Sequence, residues 1–256
     1  MIEPPERIYD LLIDAVPTAA CADEVLIGLT WTLCRTAGGI GLAMSPGTAT
    51  RTLAWPGTLA GRRLAELAPW VRAWDPFEAT VGMAAINAAL NPGAVLAATA
   101  VGLTPGPAAN LAVFHHFADQ LAGRRVAVIG RYPGLDALEL GWDLTVIERN
   151  PGAGDLPDPA AEFCLPAADW VFLTATSLIN KTFPRLAELS RAATLVLMGP
   201  TVPWLGELRD WGVDYLAGVR VTDPQGLRQT IAEGGGTRIF AAGVEYAVAD
   251  LRPAGG

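Results

Sequence analysis

Lysine is almost missing from this 256-residue chain: of its 18 basic residues only Lys181 is a lysine, and the 17 arginines are scattered without a cluster. Neutralising a phosphate backbone takes a concentrated positive face. With a formal charge of −8 the chain offers none, which sets nucleic acid aside as a partner. Cysteine is scarce too: Cys21, Cys34 and Cys164 are odd in number and far apart, with no C-x-x-C pair. That pattern indicates neither a disulfide framework nor a structural zinc site, and reads as buried free thiols sooner than as metal ligands. The only histidines, His115 and His116, are neighbours on an expected helix and diverge by about 100°, so they cannot easily share one metal. One partly buried and one at the surface is the expectation.

Long unbroken apolar runs are lacking as well. Ala79 to Ala118 contains no Asp, Glu, Lys or Arg, but Asn91-Pro92-Gly93 and Thr104-Pro105-Gly106-Pro107 cut it into pieces shorter than the ~20 residues that span a bilayer. MIEPPERIYD at the start places acids and prolines where a signal peptide needs a basic and then an apolar segment. The expectation is a cytoplasmic protein without membrane contact. No Ser-His-Asp order, G-x-S-x-G elbow, H-E-x-x-H or P-loop occurs.

What the chain has is apolar surface to bury. Hydrophobic residues make up 51% and charged ones 17%, which suggests extensive burial within domains or between subunits and leads us to expect a homo-oligomer. Pro5 to Val16 reads as an opening helix with an apolar stripe. Glu24 to Arg35 alternates as one strand, Gly38-Gly39 turns the chain, and Ile40 to Met44 returns as its hairpin partner. A helix is expected around Leu59 to Trp74. A second has Asp75 as N-cap, Pro76 at its first position and Glu78 at its third, and runs to Leu90. Within it Asn87 shares a face with Thr80, Met83, Ala84 and Asn91. A buried amide must find partners, so Asn87 either ties the helix to a loop or faces a ligand.

Thr104 to Pro107 is the expected linker, dividing 1–107 from 108–256. A helix over Ala108 to Ala122 follows. From Arg125 the rhythm is strand, turn, helix: strands at Val126–Ile129, Leu144–Ile147, Trp170–Ala175, Thr194–Met198 and Val213–Ala217, and a late edge strand at Arg238–Ala242. Helices fall at Leu135–Leu140, Phe183–Arg191, Trp204–Trp211 and Pro224–Glu233. This alternation predicts an α/β chain with a parallel sheet covered on both faces.

In such a sheet the ligand crevice lies beyond the carboxyl ends of the strands. The residues there are Gly130, Arg131 and Tyr132, then Glu148, then Thr174, Thr176 and Ser177, then Gly199 and Pro200, and Gly218. Small and hydroxyl side chains dominate, giving close backbone approach and hydrogen bonds. The dinucleotide fingerprint G-x-G-x-x-G is absent, and Tyr132 stands where the second glycine would clear the pyrophosphate path. Glu148 sits where an acid holds ribose hydroxyls, or else pairs with Arg149 or Arg131. Asn180, Lys181 and Thr182 precede the helix at Phe183, which Thr182 is placed to cap. Lys181 reads as solvated rather than as a nucleophile.

Together, VAVIGRYPG, FLTATSLINKTFPRL and VLMGPTVPWLGEL with LAGVRVTD resemble the Rossmann-like half of the family labelled putative heavy-metal chelation. EVLIGLTWT and VGMAAINAALN are similar to its amino-terminal half, of enolase N-terminal-like α+β fold. The resemblance implies a ligand site between the two halves and a role in making or handling chelators related to pterins, flavins or siderophores. It would place Gly130, Tyr132, Glu148, Thr174 to Thr182 and Gly199-Pro200 on the Rossmann-like side and bring Asn87 from the other half, with Asn87, Asn180 and Thr182 as candidate catalytic residues. A small residue is usual at the position of Lys181. No cysteine or histidine lies in the matching motifs, so direct metal coordination is not expected, and no cofactor is identified. Three functions follow: an enzyme acting on a small chelator-type metabolite by condensation, hydrolysis or group transfer; a non-catalytic carrier or sensor; and an S-adenosylmethionine-dependent methyltransferase, disfavoured by Tyr132.

Overall fold

In the computed structural model, which describes residues 6–49, 53–104 and 108–253, the α+β amino-terminal half and the parallel-sheet second half are both present. Strands β1 (Glu24–Ile27), β2 (Trp31–Thr36) and β3 (Gly39–Met44) form an antiparallel sheet in that order. Glu24 to Arg35 is therefore two strands, not one. The Gly28 N–H donates to the Trp31 carbonyl at 2.9 Å, closing a turn, and the Ser45 hydroxyl donates to the Gly28 carbonyl at 2.8 Å. These bonds reverse the chain where alternation alone would continue it. Leu29 lies at the tip of that turn, exposed to solvent.

The Pro76–Leu90 helix packs across β2 and β3. Its start is local: Asp75 Oδ1 accepts from the Phe77 and Glu78 N–H groups at 2.9 and 3.0 Å, a cap worth about 1 kcal/mol. Contact is close enough that a Cβ on Gly41 would lie 1.9 Å from the Ala88 nitrogen, so this crossing needs glycine. The helix expected at Leu59–Trp74 is shorter, Leu64–Leu67 continued as a 3-10 turn over Ala68–Arg72, with Pro69 inside the turn.

The large sheet contains β4 (Val101–Gly102), β5 (Arg125–Ile129), β6 (Asp143–Glu148), β7 (Leu156–Pro157), β8 (Trp170–Thr174), β9 (Thr194–Met198), β10 (Tyr215–Val221) and β11 (Val244–Asp250). Their order is β4-β11-β10-β9-β8-β5-β6-β7. From β10 to β7 all neighbours are parallel, whereas β11 runs antiparallel to both β10 and β4. Arg238–Ala242, expected as an edge strand, is instead a short turn of helix at Ile239–Ala242. The strand comes after it, and it is internal. Ala108–Ala122 is broken into Ala109–Leu111, Ala112–His116 and Ala118–Leu121, with Phe117 leaving helical geometry between the last two. The expected linker falls largely in 105–107, outside the described residues.

The small sheet lies between two cores. Leu33 and Leu42 join Phe114, Phe117, Phe172 and Met198 on one side. On the other, Cys34 and Ala43 join a cluster that runs without a break from Ile8, Leu67 and Met83 to Leu173, Phe183 and Leu197. Both halves thus share buried surface, and polar groups at the seam are held in fixed positions.

Candidate functional site

Chain order in the sheet reverses at β5: the connection to β6 moves one way, and β8 returns to the other side of β5. Crevices form beyond the carboxyl ends of strands at such a switch point. Here the ends are Gly130, after β5, and Thr174, closing β8. Gly130 has φ +92°, and a Cβ there would come within 3.1 Å of the Thr174 methyl. Gly199, after β9, has φ +112°. Turns of this kind leave room for Tyr132, whose ring meets Phe114 edge-on at 5.5 Å and whose hydroxyl faces Gly199. Burial pushes the Tyr132 phenol well above its ordinary pKa, so it stays a proton donor. Tyr246, on β11, is buried beside it and is raised likewise, by burial first and by Tyr132 second.

A hydrogen-bonded series starts at Thr174. Thr174 Oγ1 donates to Thr176 Oγ1 at 3.2 Å, and Thr176 Oγ1 donates to the Met44 sulfur at 3.5 Å. Met44 is the last residue of β3, so the amino-terminal half enters the site at this point. Its backbone is pinned from both sides: its N–H donates to Thr201 Oγ1 at 3.0 Å, and its carbonyl accepts from Thr80 Oγ1 at 3.3 Å. The residue is 40% exposed.

Asn87 is fully buried below this seam. Its Nδ2 donates to the Leu42 carbonyl at 2.7 Å and to the Thr201 carbonyl at 2.9 Å, so the amide ties helix, small sheet and β9 turn together. Its Oδ1 has no partner in the structure, and neither does the buried hydroxyl of Ser177. One turn further along, Asn91 repeats the tie, donating to the Val202 carbonyl at 3.1 Å and accepting from the Trp204 N–H at 3.0 Å. Pro200 is buried between the Gly199 and Thr201 positions.

Other expected residues have different partners. Glu148 pairs with neither guanidinium: its oxygens accept the backbone N–H groups of Arg131 at 2.8 Å, Arg149 at 2.8 Å and Asn150 at 3.3 Å. Arg131 is engaged by Asp155 and, at 2.5 Å, by Asp136, which fastens the 149–155 loop to the end of β5. Neither charge is free for a ligand. Asn180 and Thr182 are held to one another, the Thr182 hydroxyl donating to Asn180 Oδ1 at 2.6 Å and its N–H at 3.1 Å. Thr182 therefore does not cap the Phe183–Leu189 helix with its side chain.

Lys181 is half-buried and hydrogen-bonded, not freely solvated. Its Nζ donates to the carbonyls of Ala73, at 2.5 Å, and Ile179, at 2.7 Å, and desolvation brings its pKa down to about 8. It is a non-glycine residue with φ 68°, which gives a physical reason for a small residue at this place. Among the cysteines Cys34 is buried, its thiol pushed up to about 12 chiefly by desolvation, but Cys21 is exposed and Cys164 half-buried. His115 and His116 are both exposed. Among the described residues no group of three or more His, Cys, Asp and Glu is arranged to hold a metal ion, and the groups that meet the Met44 thioether and backbone are the hydroxyls of Thr80, Thr176 and Thr201. Such a set suits an organic ligand better than a metal.

Met44, Thr201 and Asp155 went unrecognised as site residues in the sequence. Met44 ends an expected strand and Thr201 follows Gly199-Pro200, but nothing local marks their meeting.

Comparison with known proteins agrees with this architecture. Residues 112–250 match the family model DUF364 and residues 9–90 match DUF4213, both described as putative heavy-metal chelation. A crystal structure of a DUF364-family protein of unknown function from Desulfitobacterium hafniense superposes with a TM-score of 0.84 at 33% identity, over 96% of this chain and 98% of that one. Another from Pyrococcus horikoshii, at 22% identity, shares the fold with a TM-score of 0.77 over 96% and 99% of the two chains. An uncharacterised protein of Methanocaldococcus jannaschii is 31% identical over 108 residues, 39% of this chain and 42% of that protein. With more than half its length matched, the chain belongs to the DUF364 family, described as putative heavy-metal chelation.

Proposed function

We propose that this protein binds a small organic molecule between its two halves and serves in making or handling a metal chelator, by condensation, hydrolysis or group transfer on that molecule. One observation carries the reading: Met44 and Thr80 from the amino-terminal half meet Thr176 and Thr201 from the other at the carboxyl edge of the parallel sheet. The family description points the same way, and the donor set favours contact with the organic part of a chelate over the metal itself.

A carrier or sensor without chemistry is the second reading. It is favoured by the engagement of Glu148 and Arg131 with backbone and with Asp155, which leaves neither as a ready general base or anion partner. The same engagement weighs against a methyltransferase, since ribose hydroxyls would compete with three backbone N–H groups for Glu148.

Native mass spectrometry of the purified protein, followed by long incubation with whatever small molecule it retains, tests both. A retained organic molecule that is converted supports the enzyme, and one recovered unchanged supports the carrier. Absence of any retained molecule, together with no binding of pterin-, flavin- or siderophore-type compounds, contradicts both. The same spectrum gives the subunit count, for which we propose a homo-oligomer.

A further inference from the structure

The geometry points to an uncharged carbonyl oxygen as the ligand group that this site recognises, taken up by the Thr176 hydroxyl in place of the Met44 sulfur. The inference rests on the ligand site proposed above and names the chemistry it selects.

A hydroxyl carries one proton, so the direction of the series is fixed. Thr174 spends its proton on Thr176, at 3.2 Å. Thr176 spends its proton on Met44. Both bonds therefore point the same way, from Thr174 at the end of β8 toward β3, and hydrogen bonds aligned in this way polarise one another. Two donors in line end on a thioether, among the weakest acceptors a protein has. That end is also where solvent reaches the seam, because Met44 is 40% exposed while Tyr132 and Thr174 lie deeper. A polarised donor series ending on a weak, accessible acceptor gains most from a ligand oxygen replacing that acceptor.

Charge decides which oxygen. A carboxylate would need a cation, and the guanidinium that follows β5, Arg131, is already held by Asp155 and Asp136. The Tyr132 phenol, its pKa raised by burial, remains a donor across the physiological range and supplies no charge. A neutral carbonyl satisfies Thr176 without leaving a buried charge unpaired. The displaced Met44 thioether is then free to lie against a flat or apolar part of the same ligand, as sulfur does on aromatic edges.

The test uses the intact protein with its methionine methyl groups labelled with carbon-13. The chain has 4 methionines, so the spectrum is simple, and loss of one signal in Met44→Leu assigns the reporter. Benzamide, benzoate and benzyl alcohol are titrated separately, presenting a neutral carbonyl, a carboxylate and no carbonyl on one ring. Expected is a saturable shift of the Met44 methyl with benzamide, at least tenfold weaker with benzyl alcohol and with benzoate. Thr176→Val should weaken benzamide at least tenfold, and Thr176→Ser, which keeps the O–H, should restore it. No shift with benzamide, benzoate binding as tightly, or Thr176→Val binding like wild type overturns the inference. A retained ligand seated at Met44 but lacking any carbonyl would overturn it too, while leaving the proposed binding function intact.

Discussion

Asn87, in the middle of a helix of the amino-terminal half, donates from Nδ2 to the Thr201 carbonyl of the β9 turn at 2.9 Å. The same nitrogen donates to Leu42 on β3, so one buried amide fixes three elements. Asn91, four residues on and on the same helix face, holds Val202 and Trp204. The helix thus positions the segment whose hydroxyl, from Thr201, holds Met44 at the site.

Replacing Asn87 by alanine should therefore act first on stability. Two buried carbonyls lose their donor, at roughly 1–3 kcal/mol each, partly offset because the partnerless Oδ1 is removed as well. The net loss should be about 2 kcal/mol, read as a fall in Tm of roughly 4–8 °C for a chain of this size. An unchanged Tm would show that the tie contributes nothing.

Gly199→Ala should cost about 1 kcal/mol or more, since φ +112° is unfavourable for any side chain and the new methyl would sit 3.7 Å from the Tyr132 hydroxyl. Gly47→Ala is the control, with nothing within 4 Å of the added carbon, and should stay within about 0.5 kcal/mol of wild type. Urea midpoints of the two variants make the comparison. Equal midpoints contradict the account of the β9 turn.

Lys181 makes stability depend on pH in the alkaline range. Its folded pKa, about 8, lies below the ordinary 10.5, so between these values the unfolded chain holds more proton than the folded one. Stability contributed at this residue must then rise with pH across that window and stay level below pH 8. Comparing urea midpoints of wild type and Lys181→Met at pH 7, 8, 9 and 10 isolates it. The difference should move in favour of wild type above pH 8, and a constant difference contradicts the desolvated lysine.

On the acid side Asp155 acts with the same sign. The Arg131 guanidinium holds its carboxyl below the usual range, so the stability it contributes is present above about pH 4 and is lost as pH falls through its folded value. Asp155→Asn should release the 149–155 loop, seen as faster amide hydrogen exchange there at pH 7, with protection in β8 and β9 unchanged. Protection of the loop equal to wild type would mean that Arg131 does not fasten it.

Local chemistry made much of this legible. Asp75, Pro76 and Glu78 announce a helix start because the bonds involved span three residues, and the parallel strands from β5 onward read as apolar runs because both faces are buried. Glu148 was placed correctly at the end of β6, but its partners are backbone groups of the next loop, which no pattern of side chains encodes. The break after Ile27 depends on Ser45, and Met44 gains its place from Thr80, Thr176 and Thr201, all remote in sequence. Long-range partners of this kind leave no periodic trace.

A crystal structure of the protein carrying the small molecule it retains on purification tests the central claim most directly. The account predicts ligand density against Met44, Thr176 and Tyr132, at the seam between the halves. Density confined to the opposite, amino-terminal edge of the sheet, in the small cavity beside Cys164 and Arg125, would contradict it.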